Sequence, residues 1–239
     1  MAEKGFIMID GIDGSGKSTI VKAWKEYLTN ESNALFDLRD FWLKENRYPD
    51  WHEVKPYDFL FTSEPSYVGI GKVLREELMR NGTNYPELAI AEAFSLDRLV
   101  LYEKIIIPAL KDNKIVIQDR GVSTSLCYQA LSGKLGLKML CELPGNSLAL
   151  EHAPEHLILM QIEPQKAIDR LSHRSSKQDD VIFEKLDFQT KAANLFNSAE
   201  FKKLFTAHGT TVHYLPATDE IDIMKAKAIK LLQSLLSNN

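Results

Sequence analysis

Apolar residues gather in five short, near-continuous runs: Phe6 to Ile9, Phe59 to Thr62, Ile115 to Ile117, Leu157 to Ile162 and Val212 to Leu215. Runs of this length without polar alternation suit strands covered on both faces. Between them the pattern switches to helical stretches: Ser18 to Thr29, Gly71 to Arg80, Pro86 to Leu110, Thr124 to Leu131, Pro164 to His173, Phe183 to His208 and Ile221 to Leu236. Pro86 and Pro108 stand near the two ends of the third. Strands alternating with helices predict an α/β fold, a parallel sheet with helices on both faces. One segment breaks the rhythm. Residues 30–58 are rich in charge and in aromatics (Phe36, Phe41, Trp42, Tyr48, Trp51, Tyr57). They read as an insert packed by its own aromatics, or, functionally, as a wall of a ligand site.

Composition narrows the class. The chain has 239 residues, 44% of them hydrophobic and 26% charged, which excludes a disordered chain and leaves room for a core without disulfide or metal staples. A net charge of -4 argues against a bulk nucleic-acid binder, though not against a local anion site. Cys127 and Cys141 make no disulfide framework and no zinc spacing, and the six histidines show no metal-ligand spacing. The apolar stretch near the N-terminus is too short for a signal peptide, and no run approaches the roughly 18 residues of a membrane span. The expectation is a cytoplasmic protein with no membrane partner.

Chemistry enters at Gly11-Ile12-Asp13-Gly14-Ser15-Gly16-Lys17-Ser18, which matches G-x-x-x-x-G-K-[ST]. An apolar strand runs into it and a helix leaves it. Gly11, Gly14 and Gly16 let the backbone curl so that its N–H groups face a phosphate, and the helix N-terminus adds a favourable dipole. Lys17 can reach the β- and γ-phosphates, and the Ser18 hydroxyl can ligate Mg²⁺. Such a site serves a GTPase, a motor or a small-molecule kinase. There is no N-K-x-D motif, and the third strand ends Gln118-Asp119-Arg120, an acid followed by a base. A carboxylate near the metal beside an arginine for an anionic acceptor favours a kinase.

From here the residues resemble the thymidylate kinase family of P-loop nucleoside monophosphate kinases. The phosphate loop through Thr19 carries the family's acid at Asp13. Phe61-Thr62-Ser63-Glu64-Pro65 resembles its T-R-E-P segment, and Ile70-Gly71 through Arg75-Glu76 its acceptor-phosphate helix. Phe94-Ser95-Leu96-Asp97-Arg98 resembles F-A-A-D-R. Asp119-Arg120-Gly121, with Ser123, Ser125, Tyr128 and Gln129, resembles D-R-Y-x-x-S-x-x-A-Y-Q. The resemblance implies ATP- and Mg²⁺-dependent phosphorylation of dTMP to dTDP. It implies Asp13 near the acceptor sugar, and Arg75 and Arg120 on its phosphate. Phe94 would stack on the base, Arg98 would bond its edge, and Glu64, Ser125 and Gln129 would line the pocket. Tyr128 would crowd the 2′ position, and Asp119 would sit near Mg²⁺ through water. It also implies a mobile lid, residues 170–182, with Arg174 as the catalytic arginine and Arg170 as second choice, and a homodimer through the Pro86 to Leu110 helix.

Three departures bear on the acceptor: Ser63 replaces an arginine, Ser66 and Tyr67 replace glycines, and Gly121 replaces an aromatic. The expected architecture is a three-layer P-loop kinase fold with a five-stranded parallel sheet in order 2-3-1-4-5. It forms one domain over residues 1–239, with the insert and the lid. The alternatives are a kinase for another deoxynucleoside or nucleoside monophosphate, and a non-catalytic nucleotide-binding regulator. Lys17, Asp119, Arg120 and the lid arginines argue against the last.

Overall fold

The computed structural model describes residues 3–80, 82–173, 185–218 and 220–237. All five apolar runs are strands of one parallel sheet: β1 (Glu3–Asp10), β3 (Phe59–Ser63), β4 (Ile115–Asp119), β5 (Pro154–Gln161) and β6 (Thr211–Pro216). Their relative order is the expected one. A sixth strand, β2 (Leu35–Asp37), extends the edge beyond β3, giving β2-β3-β4-β1-β5-β6. It corrects the five-strand expectation. Three residues, only the middle one buried, leave no apolar run to read.

Helices cover both faces. α1 (Lys17–Asn30) packs against α13 (Ile221–Leu236), where Trp24 Nε1 donates to the Ala228 carbonyl at 2.9 Å. α2 (Leu38–Glu45) and the short α3 (Trp51–Val54) fill the insert. Its aromatics do pack on one another: Phe36 on Phe41 and Tyr57, and Tyr48 edge-on to the buried Trp42.

Helix bounds shift where backbone chemistry intervenes. α4 (Gly69–Val73) passes into a π-turn at Leu74–Leu78. The long stretch splits into α5 (Glu87–Leu101), a π-turn at Tyr102–Ile106 and α6 (Ile107–Lys111), which begins with Pro108 in its first turn, where a missing N–H costs nothing. α7 (Val122–Tyr128) follows β4. α8 (Leu137–Glu142) and α9 (Pro144–Glu151) occupy a stretch with no clear periodicity. α10 (Pro164–Ser172) follows β5. The expected helix from Phe183 to His208 is two, α11 (Leu186–Phe196) and α12 (Ala199–Thr206), because the Ser198 side chain accepts from Phe201 N and starts a new helix.

α9 crosses α5 at backbone contact. Gly145 N donates to Ser95 Oγ at 2.8 Å, and a Cβ on Gly145 would lie 1.8 Å from the Ser95 carbonyl oxygen. Gly145→Ala must therefore push the helices apart. A loss of roughly 1–3 kcal/mol is expected in chemical denaturation; an unchanged midpoint would show that the two helices adjust freely.

Candidate active site

The carboxyl ends of β1, β3 and β4 lie side by side, with Ile9 opposite Asp119 and Ser63 opposite Asp119 in the ladder. Each strand therefore delivers its next residues to one crevice, the usual ligand position in such sheets. β1 delivers the phosphate loop. Its first glycine is anchored by Asp10, which is fully buried: Gly11 N donates to Asp10 Oδ1 at 2.8 Å. Ser123 and Thr124, from the start of α7, donate to the same carboxylate. Gly14 has φ 77°, and a Cβ there would sit 2.2 Å from the Ala167 carbonyl oxygen, so α10 rests directly on the loop. The φ and the contact both require glycine.

Lys17 folds onto its own loop, donating from Nζ to the carbonyls of Gly11 (2.9 Å) and Ile12 (2.8 Å). Burial, and then the Arg120 charge, push its ammonium down to about 8. Ser15 is buried, while Ser18 opens to solvent and Thr19 N donates to the Gly16 carbonyl. Arg170 reaches across from α10 and donates to the Ala217 carbonyl at 2.8 Å, beside Gly16.

Arg120 follows β4 in the left-handed region, φ 63°, with its N–H on the Ile9 carbonyl at 2.9 Å. That conformation is costly for a non-glycine residue and turns the side chain back over the phosphate loop. There its guanidinium donates to Asp13 Oδ1 and lies 3.9 Å from Asp10 Oδ1. Burial alone would lower the Arg120 pKa, but the charge of Asp13, with Tyr128, Asp10 and Asp119, raises it. Burial alone would raise Asp13, but Arg120 and Lys17 hold it below the usual carboxylate range. Tyr128 OH (3.4 Å) and Gln189 Nε2 (3.2 Å) donate to Asp13 Oδ2, and Gln189 Oε1 accepts from Asp13 N at 3.0 Å.

Arg75 projects toward the turn after β3, where Nε donates to the carbonyls of Pro65 (3.1 Å) and Ser66 (3.0 Å). Burial depresses its pKa. Beneath this layer lies a closed polar network. Arg98, 1% exposed, donates to Glu64 Oε2 (2.5 Å), Ser125 Oγ (2.8 Å) and Asn146 Oδ1, and Gln118 Nε2 donates to Glu64 Oε1 at 2.8 Å. Burial, partly offset by Arg98, raises Glu64 to about 7. Gln129, just past the end of α7, is buried. Phe94 instead joins Leu74 and Ile90 in a separate apolar cluster.

The structure thus gathers Asp13, Lys17, Asp119, Arg120 and Tyr128 around one crevice, with Arg75 at its margin. Arg98 and Glu64 are buried and paired beneath it. Arg174 lies outside the described residues. Asp10, Gln189 and Asn146 escaped sequence reading. Asp10 precedes the motif, and Gln189 and Asn146 sit on helices with no chemical signature.

A sequence model of the thymidylate kinase family matches residues 51–228. Thymidylate kinase of Kosmotoga olearia is 31% identical over 184 residues, covering 77% of this chain and 76% of its own length. A probable thymidylate kinase of Thermococcus kodakarensis is 28% identical over 239 residues, covering 97% and 98%. The chain belongs to the thymidylate kinase family. It is accordingly a phosphotransferase of the nucleoside monophosphate kinase type. The phosphate loop precedes the matched span and stands on its own motif and geometry.

Two departures from the family's pattern have local causes. Ser66 binds Asp97 twice, through N (2.7 Å) and Oγ (2.6 Å). At Gly121 a Cβ would meet Met8 Cε at 2.6 Å and Gln118 Nε2 at 2.9 Å, so buried side chains already fill the space an aromatic would need.

Proposed function

We propose that the protein transfers the γ-phosphoryl group of ATP to dTMP, giving dTDP and ADP, with Mg²⁺. The supporting observation is the Asp13–Arg120 pair poised beside Lys17 at the phosphate loop. One lysine faces the donor phosphates and one arginine faces the acceptor, and a bare nucleotide binder has no use for the second.

Donor phosphates would take the Lys17 donors away from the Gly11 and Ile12 carbonyls and the loop N–H groups from solvent. Arg120 and Arg75 would hold the acceptor phosphate, since guanidiniums offer paired donors to phosphate oxygens. Asp13 would accept from the acceptor sugar, with Tyr128 against its 2′ side. Phe94 and Arg98, with Glu64, Ser125 and Gln129, would back the base. An acceptor phosphate oxygen attacks the γ-phosphorus as the bond to the β-bridging oxygen breaks, and Lys17, Arg170 and Arg174 would stabilise the spread charge.

The residues fit the metal. Asp119 Oδ1 is buried and has no partner among the described residues, and the Ser18 hydroxyl opens at the helix start. No group of three His, Cys, Asp or Glu that could hold an ion exists among the described residues, which suits Mg²⁺ held by one carboxylate, one hydroxyl, water and substrate oxygens. Bound there, Mg²⁺ would neutralise charge on the phosphoryl oxygens.

No helix among the described residues is long and apolar enough to cross a membrane. A cytoplasmic homodimer is part of the reading: Leu88 and Leu96, eight apart on α5, present exposed apolar side chains on one helix face.

Ser63 and the altered turn after Pro65 favour the second reading, a kinase for a different monophosphate. Coupled ADP release with ATP, Mg²⁺ and each nucleoside and monophosphate decides between them. dTMP is expected to give the highest kcat/KM. A better acceptor would overturn the substrate and keep the kinase. Absence of turnover with every acceptor would leave the regulator.

A further inference from the structure

The insert has no counterpart in the motifs that identify the site, yet its fold carries it there. β2 pairs with β3 in the register Leu35–Phe59 to Asp37–Phe61. α2 therefore starts beside the carboxyl end of β3, next to the turn that holds Arg75. Asp37 caps the helix by accepting from Arg39 N at 3.0 Å. The Arg39 guanidinium lies over the Tyr67 ring, 5.0 Å from its centroid, and that of Arg75 lies 3.9 Å from the same centroid.

Charge makes this arrangement unusual. The positive charge of Arg39 reaches Arg75, and Arg75 in turn feels Arg120. Arg120 is paired with Asp13. Neither Arg39 nor Arg75 has a carboxylate within ion-pair distance among the described residues. Two like charges on one ring repel; the Asp97 carboxylate offsets part of this at Arg75, and an anion bound by both guanidiniums would relieve the rest. The cluster borders a cavity of about 140 Å³ between α2 and α4, lined by Trp42, Leu43, Asn46, Tyr67, Lys72, Arg75 and Glu76, with Lys72 paired to Glu76 at 3.9 Å. Trp42 Nε1 in its wall is buried without a hydrogen-bond partner among the described residues.

We propose that Arg39, brought by the insert to the same tyrosine ring as Arg75, is a further guanidinium binding the 5′-phosphate of the acceptor nucleotide. This rests on the acceptor-kinase reading above. It also gives the insert a purpose: it returns a cation to the side of the acceptor site where Ser63 stands in place of the arginine of the T-R-E-P pattern. Arg39 is a binding residue for the acceptor phosphate and takes no part in the ATP site.

The test compares dTMP with thymidine, which lacks the phosphate, by calorimetry on wild type, Arg39→Ala, Arg39→Lys and Lys44→Ala. Lys44 is a highly exposed cation on the same helix, beside Glu45, and controls for net charge. Arg39→Ala should weaken dTMP binding by about tenfold or more, the worth of a charged hydrogen bond. Thymidine affinity and the KM for ATP should not move, Arg39→Lys should recover part of the loss, and Lys44→Ala should match wild type. Unchanged dTMP affinity in Arg39→Ala would overturn the proposal, as would equal losses for dTMP and thymidine, which would make Arg39 a support of the wall. If wild type ignores dTMP but phosphorylates another monophosphate, the substrate reading alone falls, and the same comparison with that acceptor and its nucleoside decides Arg39.

Discussion

Lys17→Ala should lower kcat by about a hundredfold to a thousandfold, the usual cost of removing one preorganised cation or donor from a charge-developing centre. Lys17 is the one lysine inside the phosphate loop, and its ammonium is already seated on the loop's own carbonyls. Its pKa near 8 adds a pH signature. The ammonium is charged below that value and neutral above it, so kcat/KM for ATP should fall as pH rises through about 8. Bound phosphates favour the charged form, so the descending limb of kcat should lie at higher pH than that of kcat/KM. Lys17→Arg keeps the charge at every accessible pH and should lose the limb, whatever its rate. A limb that persists in Lys17→Arg would assign the titration to another group.

Glu64→Ala should destabilise the fold by roughly 3–5 kcal/mol, because it strands the Arg98 guanidinium in the interior. Arg98 is 1% exposed, and its remaining partners, Ser125 and Asn146, are neutral. A guanidinium cannot escape by losing its proton. Glu64 can gain one: burial already raises it to about 7. Glu64→Gln, which keeps the shape and the bond to Arg98, should therefore cost much less than Glu64→Ala. The same shift sets a pH dependence. A carboxyl whose native pKa exceeds its unfolded value near 4.5 contributes most stability below that value. The contribution is lost as pH rises from about 4.5 through about 7. The difference in stability between wild type and Glu64→Gln, followed by denaturant melts across that window, should change with pH in this sense. A pH-independent difference would show that Glu64 stays ionised throughout.

The three central strands and β3 were legible because they are mostly buried on both faces, which leaves little but apolar residues in their middles; the edge strand β6, with only Leu215 buried, was legible from its short apolar run alone. The phosphate loop was legible for a different reason. Backbone that must curl around an anion needs glycine at set spacing, and the lysine and serine must follow at once. The Arg120 position was readable from its place beside Asp119 at a strand end. Its left-handed backbone, which aims it at Asp13, was not. Helix boundaries were the weakest reading, since the π-turns after Val73 and Leu101 leave no mark in the hydrophobic pattern.

Residues far apart in the chain were legible only as separate hints. Gln189 holds Asp13 from 176 positions away, and nothing local distinguishes it from any other helical glutamine. Arg98 read as a base contact because it ends a recognisable motif. Its burial against Glu64, Ser125 and Asn146 depends on three segments meeting, and no single segment records that. The insert is the clearest case. Its aromatics announced self-packing, and the structure contains it. That its first helix leans Arg39 over Tyr67 follows from the pairing of β2 with β3, and a three-residue edge strand is too short to signal a partner.

By itself the sequence determined the layered α/β class, the chemistry of the phosphate loop and the identity of most charged groups around it. Those are properties of local periodicity and local spacing. Only the tertiary structure decided which of those charges meet. It pairs Arg120 with Asp13, buries Arg98 on Glu64, and brings Arg39 and Arg75 to one tyrosine ring. Electrostatic energy depends on distance and burial, and both are set by how distant segments pack.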